Sequence, residues 1–319
     1  MSSVTRVPQT ATLPDSQLTG RTAVETMRNA GARSLLTQSF LRFRYGDGFS
    51  HARALALQLA LAVIPLVIAF VGLSSTIGTS RLGETLRRTL LALTPGASGD
   101  AVSRSLSRPP GGDGGKVALV AGLVTALLAL TTAMGQVERG ANRIYGVRRD
   151  SPGPVKYGRA ALLALIGGTP ALLGFLLVIA GGGLADAVQQ VYGGGRSAVL
   201  VLRWPLGGLL MLGALSVMFA RAPRRTQPRR GWLLVGAGVA LVLWLGFSIL
   251  LATYLHTSSG FGNVYGPLTG VMALLLWCQV TAIALLFGIA VGAQLEALRG
   301  GLTEAVAVDP ELFAGGQKA

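Results

Sequence analysis

Six stretches of the chain, near 54–73, 117–134, 160–184, 204–220, 232–255 and 267–292, run without a single Asp, Glu, Lys or Arg. An α-helix rises ~1.5 Å per residue, and about 17–25 apolar residues serve to cross the ~30 Å hydrocarbon core of a bilayer, a length each stretch reaches or exceeds. In hydrocarbon every backbone N–H and C=O has to be bonded within the protein, which leaves the helix as the solution for isolated apolar spans. Composition agrees, with 51% apolar and 13% charged residues and a mean hydropathy of +0.56, outside the range of soluble domains. The expected fold class is all-α: a polytopic membrane protein of six transmembrane helices, with an N-terminal amphipathic helix and a helical outer loop.

Lys and Arg number 7 before the first stretch, 6, 6, 2, 5 and 0 in the successive loops, and 2 after the last. The short basic loops are the second and fourth, so the positive-inside rule puts them, and both termini, in the cytoplasm. The long first loop carries little weight in that rule. A plasma (inner) membrane location with several passes follows. The cluster Arg139, Arg143, Arg148, Arg149, Lys156 and Arg159 and the run RAPRRTQPRR (221–230) are then first of all orientation signals. Trp204, Trp232, Tyr254 and Tyr265 fall near span ends, where interfacial aromatics belong.

Outside the spans, residues 1–20 carry few large apolar groups and are expected to be disordered. Residues 21–45 set Val24, Met27, Leu35, Phe40 and Phe43 among arginines, a pattern for one amphipathic helix on the cytoplasmic headgroups. Leu82, Leu86, Leu90 and Leu93 recur at helical spacing in the first loop, predicting a short outer helix that RPPGGDGG (108–115) ends. Residues 21–298 are expected to form one membrane domain, and 299–319 a short cytoplasmic tail. The basic N-terminal stretch is too long for a signal-peptide n-region, so the first span is expected to be retained.

Breaks and polar groups inside the spans mark candidate positions. Pro65 and Pro170, in GGTP (167–170), remove backbone donors in mid-membrane. Each is read either as a hinge or cavity or as a static packing kink. Ala284, Gly288, Gly292 and Glu296 recur every four residues on the last span, a stripe that allows close helix packing or, alternatively, a substrate groove. Gln58, Gln136 and Gln279 are the amides expected to seek partners there, with Gln294 further along the last span, and with the two prolines Gln58, Gln136 and Gln279 could line a polar seam.

Three segments, ALALQLALAVIPLVIAFVGL, ERGANRIYGVRRD and SGFGNVYGPLTGVMALLLWCQVTAIALLFGIAVGAQLEA, resemble the signature regions of the YihY/BrkB family of inner-membrane proteins, which once carried the name ribonuclease BN. The resemblance covers roughly residues 35–298. It implies six spans and gives weight to Asp47, Pro65, Arg139, Asn142, Tyr145, Gly146, Tyr265, Gly266 and Glu296. Leu57, Gln58 and Ala62 depart from the family pattern, which has aromatics ahead of the proline and a serine three residues before it. The family is described in terms of transport or export, some members being linked to virulence or envelope lipids.

Hydrolysis of RNA needs a metal cluster or an acid and base within reach of the phosphate. His51 and His256 are the only histidines, and the topology above puts them on opposite faces. No metal, cofactor or nucleotide-binding loop is read from the sequence, no enzymatic activity is expected, and Cys278 is the only cysteine. Nucleic acid is not an expected partner, because arginines beside a membrane face anionic headgroups already. Membrane lipids are. Spans without ionisable groups weaken ion-coupled transport and favour a substrate that brings its own apolar tail. The leading reading is transport or handling of a lipid or other amphiphile, with Arg139 and Arg143 capturing an anionic headgroup. Alternatively, Arg143 and Glu138 form an internal ion pair. The alternative function is an envelope assembly scaffold that binds copies of itself or other envelope proteins.

Overall fold

A computed structural model describes residues 5–14, 16–77, 113–147, 153–228, 230–257 and 259–308. Six helices in it are long and apolar enough to span a membrane. The first is Gly48–Ile77, the second Asp113–Ile144, the fourth Arg196–Arg221, the fifth Arg230–Thr257 and the sixth Thr269–Arg299. The third is composite: Gly153–Leu163, a π-helical turn over Ala164–Gly168, then Thr169–Tyr192. Pro170 offers no N–H, and the wider π turn immediately before it accommodates the lost bond within a continuous helix. The outer-loop helix predicted around 82–93 lies outside the described residues.

The spans pack as three neighbouring pairs, first with second, third with fourth and fifth with sixth, and the sixth also lies against the first and second. Of the sixth span's most apolar window 44% is buried, against 11% for the fourth, so the sixth is the central rod and the fourth the peripheral one. In a bilayer such contacts rest on close van der Waals fit rather than on expulsion of water. The fit is tightest where small residues meet. A Cβ on Gly122 would fall 2.5 Å from the Ala69 nitrogen and 2.9 Å from the Pro65 oxygen. Pro65 therefore lies at a dense crossing of the first two spans. A Cβ on Gly288 would come within 2.6 Å of both the Gly236 oxygen and the Ala240 Cβ, so at this position the small-residue stripe is filled by the fifth span.

The N-terminal region departs from expectation. Thr5–Arg6 pairs antiparallel with Ala307–Val308, and Leu18 is buried with Trp232, Val291 and Leu295. Residues 5–14 and 16–20, in the stretch expected to be disordered, meet both the chain's far end and the bundle. The segment 21–45 is two helices, Gly20–Ala30 and Ala32–Tyr45, separated by Gly31 at φ 75°. Thr19 and Thr22 cap the first reciprocally. Trp232 is fully buried, under these helices and not in an interfacial belt, whereas Trp204, Tyr254 and Tyr265 are exposed at span ends as expected.

Gly146 ends the second span's turn at φ +73°, and a Cβ there would lie 2.8 Å from the Gln9 Cα. Gly146→Ala thus combines a left-handed backbone with a collision, and is expected to cost about 1–2 kcal/mol and to detach the N-terminal segment. Faster protease cleavage before residue 20, with the spans intact, is the readout. Unchanged cleavage would show that Pro8–Gln9 does not lie over Gly146.

Candidate functional site

The polar side chains gather at one end of the bundle, where the second and sixth spans finish, the fourth loop turns and the N-terminal helices dock. The second span does not stop at the charged residues of its sequence. It continues helical through Glu138, Arg139, Asn142 and Arg143 to Ile144, so most of the stretch expected as loop is its last turns. That continuation presents Glu138 and Asn142, one helical step apart, to the fourth loop.

Glu138 forms an ion pair with Arg224, and the Asn142 Oδ1 accepts from the Arg224 backbone N–H at 2.8 Å. Arg225 pairs with Glu296, donates to the Thr10 hydroxyl and lies 4.8 Å from the centre of the Tyr145 ring. Arg42 donates through Nε to the Gln294 Oε1 at 2.8 Å and through Nη1 to the Ile144 carbonyl at 3.2 Å. Side-chain exposures of 7% for Arg224, 3% for Glu138, 5% for Arg225 and 0% for Glu296 make these buried pairs, which matter mainly for what breaking them costs. Burial brings Arg42 down to about 10, against the opposing pull of Tyr145 and Glu296, so it stays charged at neutral pH. Burial, then the Glu296 charge, pushes the Tyr145 phenol upward, keeping it protonated.

Beside this closed cluster the fourth loop leaves an open cavity of about 570 Å³ whose walls include Arg159, Arg221, Arg224, Arg225 and Thr226. Arg159 caps the end of the fourth span, donating to the Arg221 carbonyl at 2.7 Å. A second cavity, about 340 Å³ and mainly apolar, lies between the third, fourth and fifth spans against Pro170, Leu209, Gly213, Val217 and Leu234.

The candidate residues are dispersed differently from their sequence reading. Glu138, Asn142, Tyr145 and Glu296 come together as the buried cluster, with Glu138 joined to Arg224 and not to Arg143. Arg143 is exposed. Arg139 donates to the Gln136 Oε1 at 3.2 Å, and Gln136 also bonds His51. Pro170 lines the apolar cavity, but neither cavity is walled by Gln58 or Gln279. Gln58 instead buries an Oε1 without a partner, and Gln279 is half-buried. Gly288 and Gly292 are buried, while Tyr265 and Gly266 sit at the opposite end, the Tyr265 ring tilted against Phe261 with centres 4.7 Å apart. Arg42, Arg224, Arg225 and Thr10 are participants that sequence reasoning missed. The available signal was that Glu138 and Glu296, at the ends of apolar spans, need counter-ions from somewhere. Among the described residues no group of three His, Cys, Asp or Glu is placed to hold a metal ion.

Six apolar helices closed at one end by buried ion pairs define a polytopic helical membrane protein. The sequence profile of the family described as Virulence factor BrkB matches residues 39–307, and the chain belongs to that family. It is similar to a UPF0761 membrane protein of Rhodospirillum centenum, 29% identical over 267 residues, which cover 82% of this chain and 57% of that protein. It is also similar to the ribonuclease-like protein YfkH of Bacillus subtilis, 22% identical over 266 residues, 82% of this chain and 95% of the relative. No solved structure matches.

Proposed function

We propose that this BrkB-family membrane protein binds and moves a membrane lipid or similar amphiphile, in the inner membrane and with both termini in the cytoplasm. The observation that carries the reading is the irregular third span, in which a π turn leads directly into Pro170 and Pro170 borders an apolar cavity between the third, fourth and fifth spans. A π turn within a helix is a recurrent mark of functional sites, and irregular backbone at membrane depth is tolerated where it borders protein or a cavity. The six apolar stretches carry no charge at mid-membrane, which suits a cargo that keeps its chains in lipid. Surface arginines at the charged end, Arg139 and Arg143 among them, would draw anionic headgroups toward it. The exposed faces of the two N-terminal helices would rest on the same headgroup layer. No hydrolytic step is part of the proposal, and incubation of the pure protein with RNA is expected to leave it intact.

Purified protein in liposomes should accelerate transbilayer movement of a fluorescent phospholipid, and Pro170→Ala, which restores the missing donor, should slow it severalfold. Absence of acceleration for every phospholipid tried would sink the reading. The dense contact of the fifth and sixth spans at Gly236 and Gly288 supports the second reading, an assembly scaffold acting through its helices. That alternative expects copurifying envelope proteins and no lipid movement.

A further inference from the structure

The arginine cavity and the apolar cavity share one face of one helix. Leu209, Gly213, Val217 and Arg221 recur at four-residue steps on the fourth span. The first three wall the apolar cavity and the fourth walls the basic one. The third span flanks both, with Arg159 at the basic cavity and Pro170 at the apolar one. From Leu209 to Arg221 is a run of ~18 Å at the helical rise, so a charged opening grades into a greasy slot along one seam. The slot has room where it matters, since nothing lies within 4 Å of a Cβ added at Gly213.

The charges at the opening do not cancel. Arg224 and Arg225 are matched by Glu138 and Glu296, whereas Arg159 and Arg221 are exposed and bring two positive charges that no acid among the described residues pairs. Guanidinium groups offer forked donors that fit phosphate oxygens. A zwitterionic headgroup would bring its own cation into this field and gain less.

We propose that the seam between the third and fourth spans is a binding site for an anionic phospholipid, its phosphate held at Arg159 and Arg221 and an acyl chain laid along Gly213 toward Pro170. The site names the cargo class for the function proposed above and rests on that reading only for its purpose, because a scaffold could hold the same lipid without moving it. It also separates the headgroup position from Arg139 and Arg143, which do not wall the basic cavity.

Equilibrium binding, independent of transport, tests it. Detergent-purified full-length protein is titrated with phosphatidylglycerol and with phosphatidylcholine, reading bound lipid by native mass spectrometry. Tighter binding of phosphatidylglycerol by about tenfold or more is expected. The double substitution Arg159→Gln with Arg221→Gln should abolish that preference, and Gly213→Leu should weaken both lipids by filling the slot. Arg299→Gln, an exposed arginine at the same end of the bundle, should change neither. The double variant also removes the bond from Arg159 to the Arg221 carbonyl, so its thermal unfolding temperature is measured alongside, and retained phosphatidylcholine binding shows that the slot itself is intact. Equal binding of the two lipids by the unaltered protein, or an undiminished preference in the double variant, overturns the site. Preferential binding together with failed lipid movement keeps the site and rejects transport.

Discussion

Glu296→Ala is expected to lower the unfolding free energy by about 3–5 kcal/mol, because it strands the Arg225 guanidinium in a buried setting with Arg42 as its like-charged neighbour. Folded proteins hold only about 5–15 kcal/mol in reserve, so much of the population would lose the charged end of its fold. Cys278 is the only cysteine and is buried, which makes its reaction with a thiol dye a built-in readout of opening on a thermal ramp. The physical cause has a signature beyond the loss. Replacing both partners, Arg225→Met with Glu296→Met, removes the unpaired charge and should recover a large part of the deficit. A single substitution costing under about 1 kcal/mol would mean that the pair behaves like a solvated surface bridge, and the buried cluster would lose its role in holding the fourth loop, the second and sixth spans and Thr10 together.

Gly288→Val should separate the central sixth span from the fifth. The first added carbon would already lie 2.6 Å from the Gly236 oxygen, and valine adds two more on a branched, stiff side chain. Since fit drives helix association in lipid, the expected cost is at the upper end of overpacking penalties, about 3 kcal/mol or more. Size-exclusion chromatography after detergent extraction should show loss of the monodisperse peak. Gly238→Val is the matched control on the neighbouring helix, since a Cβ there meets nothing within 4 Å, and it should elute as the unaltered protein does. Similar behaviour of the two variants would count against the Gly236–Gly288 crossing.

The spans were legible because hydrocarbon imposes a one-dimensional rule, a length of chain without charge, that needs no knowledge of neighbours. The same rule does not show where the second helix ends. Counting stops at Glu138, but the helix continues to Ile144 because its charged turns are bonded by protein and not immersed in lipid. Partnerships were not legible. Local spacing offered Arg143 as the mate of Glu138, yet Arg224 fills that place from 86 positions away, and Arg225 reaches Glu296 across 71. The run RAPRRTQPRR signalled sidedness, and nothing in it separated Arg224 and Arg225, turned inward, from Arg221, turned out. The contacts of the N-terminal segment are hidden for a similar reason. Leu18 and Thr10 look too sparse to order a chain alone, and their order comes from Trp232 and Arg225, which sequence distance hides.

The fold puts the arginine-rich fourth loop and the turn between the third and fourth spans on opposite faces of the membrane, and the proposed arrangement has the fourth loop facing the cytoplasm. Single cysteines placed at exposed positions in a Cys278→Ala background test this directly, with Thr226→Cys in the fourth loop and Ser197→Cys at the other end of the fourth span. A membrane-impermeant maleimide applied to intact cells should label position 197 at once and position 226 only after the membrane is opened. Labelling of position 226 from outside, or of both positions from the same face, would contradict the arrangement.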